Sequence, residues 1–347
     1  MFVIVNRFVV IVKCFNSYQS CLSAKLIHPH IHNSNSRFVK IRNFEASMAA
    51  CKNIIDKKFI LNNGVEMPAI GLGTYRIRGE EPVIKAVDFA LAAGYRMFDT
   101  AAVYGNESYL KNAFRLLLPK YGLEREDIFI TTKLSPSDHG SRPITTRAYR
   151  QSLENLGVDY VDLYLVHFPG TARTSSDDTI NIKIRDQTWA GLVSLYRQGY
   201  IRAIGVSNYT VRHLQQLLSS NHGVIPTVNQ VEWHPYYHQS ELLEYCKKNN
   251  IVVQAYCSLG GTSAANMSLM NDPLVNNIAI KLGVTCAQIL LKWALQQGVA
   301  VIPKSTNFER MKENTALNFT IPNGDLEALN ALGERNTKYA WDPSIVS

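Results

Sequence analysis

From residue 58 onward, the chain alternates short apolar runs with amphipathic stretches. Apolar residues flank Asn63-Gly64, a dipeptide that favours tight hairpin turns, so residues 59–68 are predicted to form a β-hairpin. Eight apolar runs follow, each predicting a buried strand, over residues 69–73, 96–100, 128–133, 161–167, 203–207, 227–232, 251–258 and 299–304. Between the runs, apolar residues recur three and four positions apart, which predicts helices over residues 83–93, 110–118, 145–156, 187–196, 211–218, 240–248 and 285–297.

This alternation predicts an α/β fold with a parallel sheet. We expect the sheet to close into a (β/α)8 TIM barrel, and the N-terminal β-hairpin to close the barrel bottom. An open doubly wound sheet is the alternative architecture. It is disfavoured because no Gly-x-Gly-x-x-Gly opens the first strand-to-helix turn, where Gly71-Leu72-Gly73-Thr74 lacks the third glycine.

Charge separates residues 1–47 from the rest of the chain. This segment holds six Lys and Arg residues and one acid; removing them from the totals of 36 and 28 leaves 30 basic and 27 acidic residues. We expect residues 48–347 to form the barrel domain and residues 1–47 to be a basic extension. The extension is interpreted as a disordered tail, an upstream stretch before a true start at Met48, or an organelle-targeting segment, with secretion less favoured. The near-neutral remainder gives no reason to expect a nucleic-acid partner.

Cysteine usage and apolar run lengths favour a soluble protein in a reducing compartment. The six cysteines include no Cys-x-x-Cys pair, so we expect free thiols. No apolar stretch approaches the ~20 residues that span a bilayer, so no membrane association is expected. The prediction is a cytoplasmic monomer, or a mitochondrial protein if residues 1–47 act as a transit peptide. No metal site is expected, since the alternating histidines of the extension are interpreted as part of a polar tail: His28, His30 and His32.

Polar side chains end most of the predicted strands. Asp99 ends the second strand, Lys133 the third and His167 the fourth, while Tyr104 follows the second. The later strands carry Ser207-Asn208, Gln230, Tyr256 and Lys304-Ser305. In a parallel barrel these ends meet at one rim, where active sites lie. Each residue alone has a structural alternative, such as a turn cap, a solvated strand end, a core histidine or a packing aromatic. Their shared rim favours a joint chemical role.

The residues around these strand ends resemble the aldo-keto reductase family. Residues 94–107 (GYRMFDTAAVYGNE), 161–167 (VDLYLVH) and 302–314 (beginning IPKS) resemble three family signatures, and residues 205–208 and 229–232 add two shorter motifs. The resemblance extends from about residue 58 to residue 343, and the short final segment is similar to the short-tailed aldehyde and glyoxal reductase-like members. It implies NADPH-dependent reduction of aldehydes or ketones to alcohols.

The resemblance implies a catalytic tetrad of Asp99, Tyr104, Lys133 and His167. Carbonyl reduction needs a general acid at the oxygen, but a free tyrosine, with a pKa of about 10, is a poor proton donor at neutral pH. We therefore expect Lys133 to lower the pKa of Tyr104 and Asp99 to hold Lys133 in place. His167 is expected to orient and polarise the carbonyl.

The resemblance also implies the cofactor contacts. The matching positions are Gly73, Thr74, Ser207, Asn208, Gln230, Tyr256, Leu259, Lys304, Ser305, Arg310, Glu313 and Asn314. Among them, Ser207, Asn208 and Gln230 would bind the nicotinamide carboxamide, and Tyr256 would stack on the ring. Lys304 and Arg310 carry the charges that suit a 2′-phosphate, which predicts NADPH over NADH. Cys257 stands where the family often has a small hydroxyl side chain near the pyrophosphate.

Aromatic residues are the candidates for the substrate pocket. They are Tyr75, Phe168 and Trp233 beside His167, with Trp341 contributed by the final segment. Such a lining suits a hydrophobic or small aldehyde, although the same residues could instead pack the barrel rim. Two other function classes keep the cofactor site: a regulatory subunit resembling potassium-channel β-subunits, and a structural protein resembling lens crystallins. The complete tetrad favours the enzyme.

Overall fold

The computed structural model describes residues 53–261 and 267–347. The predicted basic extension, with its three alternating histidines, lies outside the described residues. Within the described residues, no single helix is long and apolar enough to cross a membrane, although one pair of helices, Pro273–Leu282 and Cys286–Gln296, meets the length and composition criteria together across a bend of 91°.

A β-hairpin precedes the barrel strands, as predicted. Strand β1 (Lys58–Ile60) pairs antiparallel with β2 (Glu66–Pro68). Gly64 has a φ of +86° in the connecting turn, a conformation that glycine adopts without steric cost. Asn63 Nδ2 donates to the backbone carbonyl of Arg202, at the start of a barrel strand, with a donor–acceptor distance of 2.9 Å. The hairpin therefore lies at the N-terminal end of the strands and closes the barrel bottom.

Eight parallel strands form a second sheet in which neighbours in sequence are neighbours in space. They are β3 (Leu72–Gly73), β4 (Met97–Asp99), β5 (Phe129–Leu134), β6 (Val161–Val166), β7 (Ile201–Ser207), β8 (Val228–Glu232), β9 (Val252–Tyr256) and β10 (Ala300–Val301). A parallel bridge between Ile70 and Val301 joins the last strand to the segment before the first. The predicted (β/α)8 barrel is confirmed, and the strands are buried because side chains fill one face and helices cover the other.

Ten α-helices occur in the described residues. They are α1 (Glu80–Ala92), α2 (Glu107–Lys120), α3 (Arg142–Leu156), α4 (Ile180–Arg197), α5 (Val211–Ser220), α6 (Ser240–Lys248), α7 (Pro273–Leu282), α8 (Cys286–Gln296), α9 (Phe308–Thr315) and α10 (Asn323–Ala331). The seven predicted helices are present with shifted ends. The apolar pattern did not predict α7, α9 or α10. The predicted strand 251–258 ends early because Cys257 has a φ of +52°, which leaves extended conformation.

Candidate active site

A buried lysine joins two neighbouring strand ends at the upper rim of the barrel. Lys133, on β5, lies with its Nζ 2.7 Å from Asp99 Oδ1 at the end of β4 and 2.8 Å from the carbonyl oxygen of Thr100. The same Nζ is 3.4 Å from the hydroxyl of Tyr104. Lys133 has no exposed surface, so the ion pair is shielded from solvent. The structure thus brings three of the four predicted tetrad residues into direct contact.

His167 faces the same space from the next strand. It directly follows β6, and its ring centroid lies 5.7 Å from that of Tyr104 in an edge-to-face arrangement. Asn208 Nδ2 donates to the backbone carbonyl of His167 over 2.9 Å, which fixes the chain where it leaves the strand. The fourth predicted residue therefore lies beside the ring of Tyr104.

Asn106 holds the loop that carries Tyr104, a role that the sequence interpretation missed. Its buried side chain donates to the carbonyl oxygens of Thr74 and Ile77, over 3.0 and 3.1 Å, and accepts from Thr100 Oγ1 over 2.6 Å. These bonds tie the loop to the ends of β3 and β4. A polar residue in the loop directly after Tyr104 was the available signal, since a buried amide needs several partners.

The pKa of Tyr104 is raised well above its usual value, chiefly because burial disfavours the phenolate; the negative charge of Asp99 adds to the effect. The expected net lowering of this pKa is wrong, because burial and the charge of Asp99 outweigh the effect of the Lys133 cation. Lys133 is bonded to Asp99, so the cation and the anion act on Tyr104 with opposite signs. Tyr104 is consequently a neutral phenol at physiological pH and carries the proton that a general acid must supply.

The two basic groups of the site have lowered pKa values. Burial lowers the pKa of Lys133, and the charge and hydrogen bond of Asp99 oppose that shift. Burial also lowers the pKa of His167 well below its usual value, and the charge of Lys133 acts in the same direction. His167 is therefore a neutral imidazole at physiological pH, and a neutral ring carries one N–H donor. Together the site offers a phenol and an imidazole N–H to one oxygen atom.

The residues predicted to bind the nicotinamide form a connected group on β7, β8 and β9. Ser207 Oγ donates to the carbonyl oxygen of Gln230 over 2.8 Å, and the Tyr256 hydroxyl donates to Asn208 Oδ1 over 2.6 Å. Gln230 Nε2 donates hydrogen bonds to Asp99 Oδ2 and Gln254 Oε1, each over 2.7 Å. The group is prearranged beside the tetrad, with the hydroxyl and amide groups that a carboxamide requires.

A second set of predicted cofactor residues lies where β10 meets α9. Gly73 approaches this segment so closely that a Cβ there would lie 2.7 Å from the carbonyl oxygen of Ile302. Lys304 and Arg310 are exposed, and Asn307 caps α9 by accepting from the backbone N–H of Arg310 over 3.0 Å. Two exposed cations near a helix N-terminus fit an anionic ligand such as a phosphate group.

The remaining predicted cofactor residues lie around these two sets. Thr74 Oγ1 donates to the backbone carbonyl of Asp99 over 2.9 Å, and Ser305 Oγ accepts from the N–H of Asn307 over 3.1 Å. On α9, Glu313 is exposed and Asn314 is buried. Leu259, which follows β9, is partly exposed. Burial raises the pKa of the Cys257 thiol to about 12, so this group stays protonated in the place of the family's hydroxyl.

Three aromatic side chains border the space in front of the tetrad. The ring of Tyr75 is 5.0 Å from that of Tyr104. Trp341 lies 5.9 Å from His167 and 5.8 Å from Phe168, measured between ring centroids. The predicted pocket residue Trp233 is elsewhere: it is only 1% exposed and stacks on Trp293, so it does not line the pocket. Trp233 therefore packs the barrel rim, which is the alternative that the sequence left open.

Within the described part of the chain, no group of three or more His, Cys, Asp or Glu side chains is arranged to hold a metal ion.

Comparisons with known proteins agree with this architecture. Residues 69–334 match the sequence profile described as the Aldo/keto reductase family. The chain is 39% identical over 275 residues to the glyoxal reductase of Bacillus subtilis. That alignment covers 79% of this chain and 92% of the relative. It is 37% identical over 306 residues to the glycerol 2-dehydrogenase (NADP(+)) of Saccharomyces cerevisiae, covering 82% of this chain and 94% of that protein. The crystal structure of MGS-M4, an aldo-keto reductase from a Medee basin deep-sea metagenome library, matches with a TM-score of 0.74 at 36% identity, covering 83% of this chain and 99% of that chain.

Proposed function

This chain belongs to the aldo/keto reductase family, and we propose that it uses NADPH to reduce an aldehyde or ketone to an alcohol. The observation that carries the proposal is the position of Lys133 Nζ, which bonds Asp99 at 2.7 Å and lies 3.4 Å from the Tyr104 hydroxyl, beside His167. An oxygen placed between the phenol and the imidazole would receive two hydrogen bonds. That arrangement suits a carbonyl on its way to an alkoxide.

Each tetrad residue has a separate task in this mechanism. The bound cofactor supplies the hydride for the carbonyl carbon. His167, as a neutral imidazole, donates a hydrogen bond that orients the carbonyl oxygen. Tyr104 gives its hydroxyl proton to the same oxygen as negative charge develops there, and so acts as the general acid. In the oxidative direction the phenolate takes the proton back from the alcohol.

The ion pair of Lys133 and Asp99 supports the proton transfer. Burial keeps Tyr104 protonated before the reaction, as reduction requires. Once the proton leaves, the phenolate lies within 3.4 Å of the Lys133 ammonium, which stabilises the new negative charge. Asp99 holds the ammonium in place over 2.7 Å, so the cation is already in position when the phenolate forms.

The pKa directions lead to a prediction about pH. Reduction needs neutral Tyr104 and neutral His167; the first has a raised pKa and the second a lowered one. Both residues therefore keep the required form through the neutral range, and we expect kcat for reduction to stay within about threefold from about pH 6 to about pH 9. Steady-state kinetics at saturating NADPH would measure this profile. A kcat that falls tenfold between about pH 7 and about pH 9 would contradict the assignment of Tyr104 as a buried neutral acid.

Recognition of the 2′-phosphate is proposed for Lys304 and Arg310, the exposed cations near the start of α9. Charged hydrogen bonds of this kind contribute about 1.5–3 kcal/mol, so Arg310→Ala should raise the Kd of NADPH about tenfold or more. The Kd of NADH should change little because NADH lacks the phosphate. Lys312→Ala is the matched control, since Lys312 is an exposed cation of the same helix paired with Glu309. Equal weakening of both cofactors by Arg310→Ala would refute the assignment.

The reaction itself is tested by the loss of NADPH absorbance in the presence of a panel of small and apolar aldehydes. Turnover of any of them supports the proposal. Tight NADPH binding without turnover of any carbonyl would favour the alternative, a regulatory or structural protein on the same barrel. The complete tetrad gives the enzyme the stronger support.

Cytoplasmic localisation and a monomeric state are also proposed. The concentration of basic residues in the segment 1–47 raises the mitochondrial alternative. Fluorescent fusions of the full chain and of residues 48–347 would separate the two locations, since only a targeting segment makes them differ. Sedimentation analysis of both proteins would give the oligomeric state.

A further inference from the structure

The final segment of the chain crosses the barrel rim and is fastened at three points. We call residues 335–347 the strap. At its start, Arg335 Nη2 lies 3.2 Å from the buried carboxylate of Asp272. At its far end, the backbone carbonyl of Val346 is bonded by the Arg212 side chain and lies 3.0 Å from His213 Nε2. The middle fastening is the carboxylate of Glu232 at the end of β8.

Glu232 is a buried carboxylate that the proposed reaction does not use. Three donors come from the strap: Tyr339 N–H at 2.5 Å, Ala340 N–H at 3.1 Å and Lys338 Nζ at 3.2 Å. The fourth is His234 Nε2 at 3.0 Å. A buried charge is tolerated only when such partners surround it, so this carboxylate depends on the strap and the strap on it.

Ionisation of Glu232 agrees with this arrangement. Burial by itself would raise the pKa of Glu232, but hydrogen bonds from His234 and the Tyr339 N–H and the charge of Lys338 outweigh burial, so that the pKa is lowered. The carboxylate is therefore charged at physiological pH and accepts from all four donors.

The residue that follows these contacts is Trp341. Its ring lies 5.9 Å from the His167 ring and 5.8 Å from the Phe168 ring, yet 55% of the residue remains exposed. An aromatic side chain that is half open beside a catalytic histidine offers an apolar face to a substrate. Its position is set by Ala340, whose N–H is bound to Glu232.

We propose that Glu232 is a positioning residue that fastens the strap and thereby places Trp341 as the apolar wall of the substrate pocket. The fastening itself is independent of the reaction. The consequence for substrate choice rests on the proposed function. With Trp341 in this position, the pocket should favour aldehydes whose apolar group reaches Trp341 over small polar aldehydes.

Trypsin tests the fastening without any activity assay. Glu232→Gln keeps the shape of the side chain but replaces one acceptor oxygen with a donor that faces the strap N–H groups. The bond after Lys338 should then be cut about tenfold faster, as opening of the strap becomes easier, and intact mass would report the loss of residues 339–347. The matched control is Glu66→Gln, which removes the charge from an exposed pair with Lys58 on the hairpin and should leave the rate unchanged.

Kinetics test the consequence for the pocket. In Glu232→Gln, the KM of an apolar aldehyde should rise about tenfold, while kcat and the KM of a small polar aldehyde stay within about threefold. Trp341→Ala should produce the same selective rise. Adding Glu232→Gln to Trp341→Ala should then add little, because both changes act through one side chain.

Several outcomes would overturn the proposal. One is unchanged cleavage after Lys338 in Glu232→Gln; another is a full, additive KM effect in the double variant. A raised Kd for NADPH with unchanged cleavage would show that Glu232 acts on Tyr256, its neighbour on β9, and not on the strap. Should Glu232→Gln fail to fold, Glu232→Asp is the second variant, because it keeps the charge but shortens the side chain. Its rate of cleavage after Lys338 should exceed that of the wild type by less than about tenfold. If no carbonyl is reduced at all, the trypsin result still decides whether Glu232 fastens the strap.

Discussion

Tyr104→Phe is expected to lower kcat for aldehyde reduction by at least about 10²-fold, with an upper range of about 10⁴, which is the usual contribution of a positioned general acid. The substitution removes only the hydroxyl that lies 3.4 Å from Lys133 Nζ. The ring contacts with Tyr75 and His167 remain, so folding should be preserved. Steady-state and single-turnover kinetics would measure the loss.

The Kd of NADPH serves as the control for this variant. It should change by less than about threefold, since the proposed phosphate contacts lie on a different part of the rim. A matched substitution, Tyr200→Phe, removes the hydroxyl of a 46% exposed tyrosine that directly precedes β7, at the opposite end of the barrel, and should leave kcat nearly unchanged. Near-normal turnover in Tyr104→Phe, with cofactor binding intact, would exclude Tyr104 as the acid.

Lys133→Met is expected to damage both stability and turnover. It leaves the Asp99 carboxylate buried without its cation, and breaking a buried ion pair in this way costs about 3–5 kcal/mol of unfolding free energy. Turnover should fall by about 10²–10³-fold, because the phenolate of Tyr104 then forms without a nearby positive charge. Denaturant unfolding and kcat would be measured on the same preparation.

The double variant Lys133→Met with Asp99→Asn separates the two effects. Removing the unpaired carboxylate should restore much of the lost stability, since a neutral pair needs no compensation. Turnover should stay low, because the cation is still missing. Recovery of turnover together with stability would mean that Lys133 has only a structural role.

The barrel and the tetrad could be predicted from sequence because they depend on local patterns. Strands and helices follow from apolar periods, and a parallel barrel brings every strand end to one rim. Asp99, Lys133 and His167 lie at or directly after the ends of consecutive strands, so their proximity required only the correct fold. The role of Tyr104 could be predicted because it lies within residues 94–107, which resemble a family signature.

The failures have a different origin, since they depend on contacts between distant segments. Trp233 is aromatic and follows a strand end, but whether it faces the pocket or Trp293 is set by packing that no local pattern contains. The pKa of Tyr104 depends on burial and on the balance between Lys133 and Asp99 in three dimensions. For Glu232, the partners lie more than a hundred positions later in the chain.

The most direct measurement of the proposed chemistry follows one hydrogen atom. The wild-type protein would be given an aldehyde and NADPH carrying deuterium at both C4 positions of the nicotinamide, and the alcohol would be analysed by mass spectrometry. One deuterium is expected on the former carbonyl carbon of every alcohol molecule, with one NADPH consumed for each. Absence of alcohol, or an alcohol without deuterium at that carbon, would contradict the proposed chemistry.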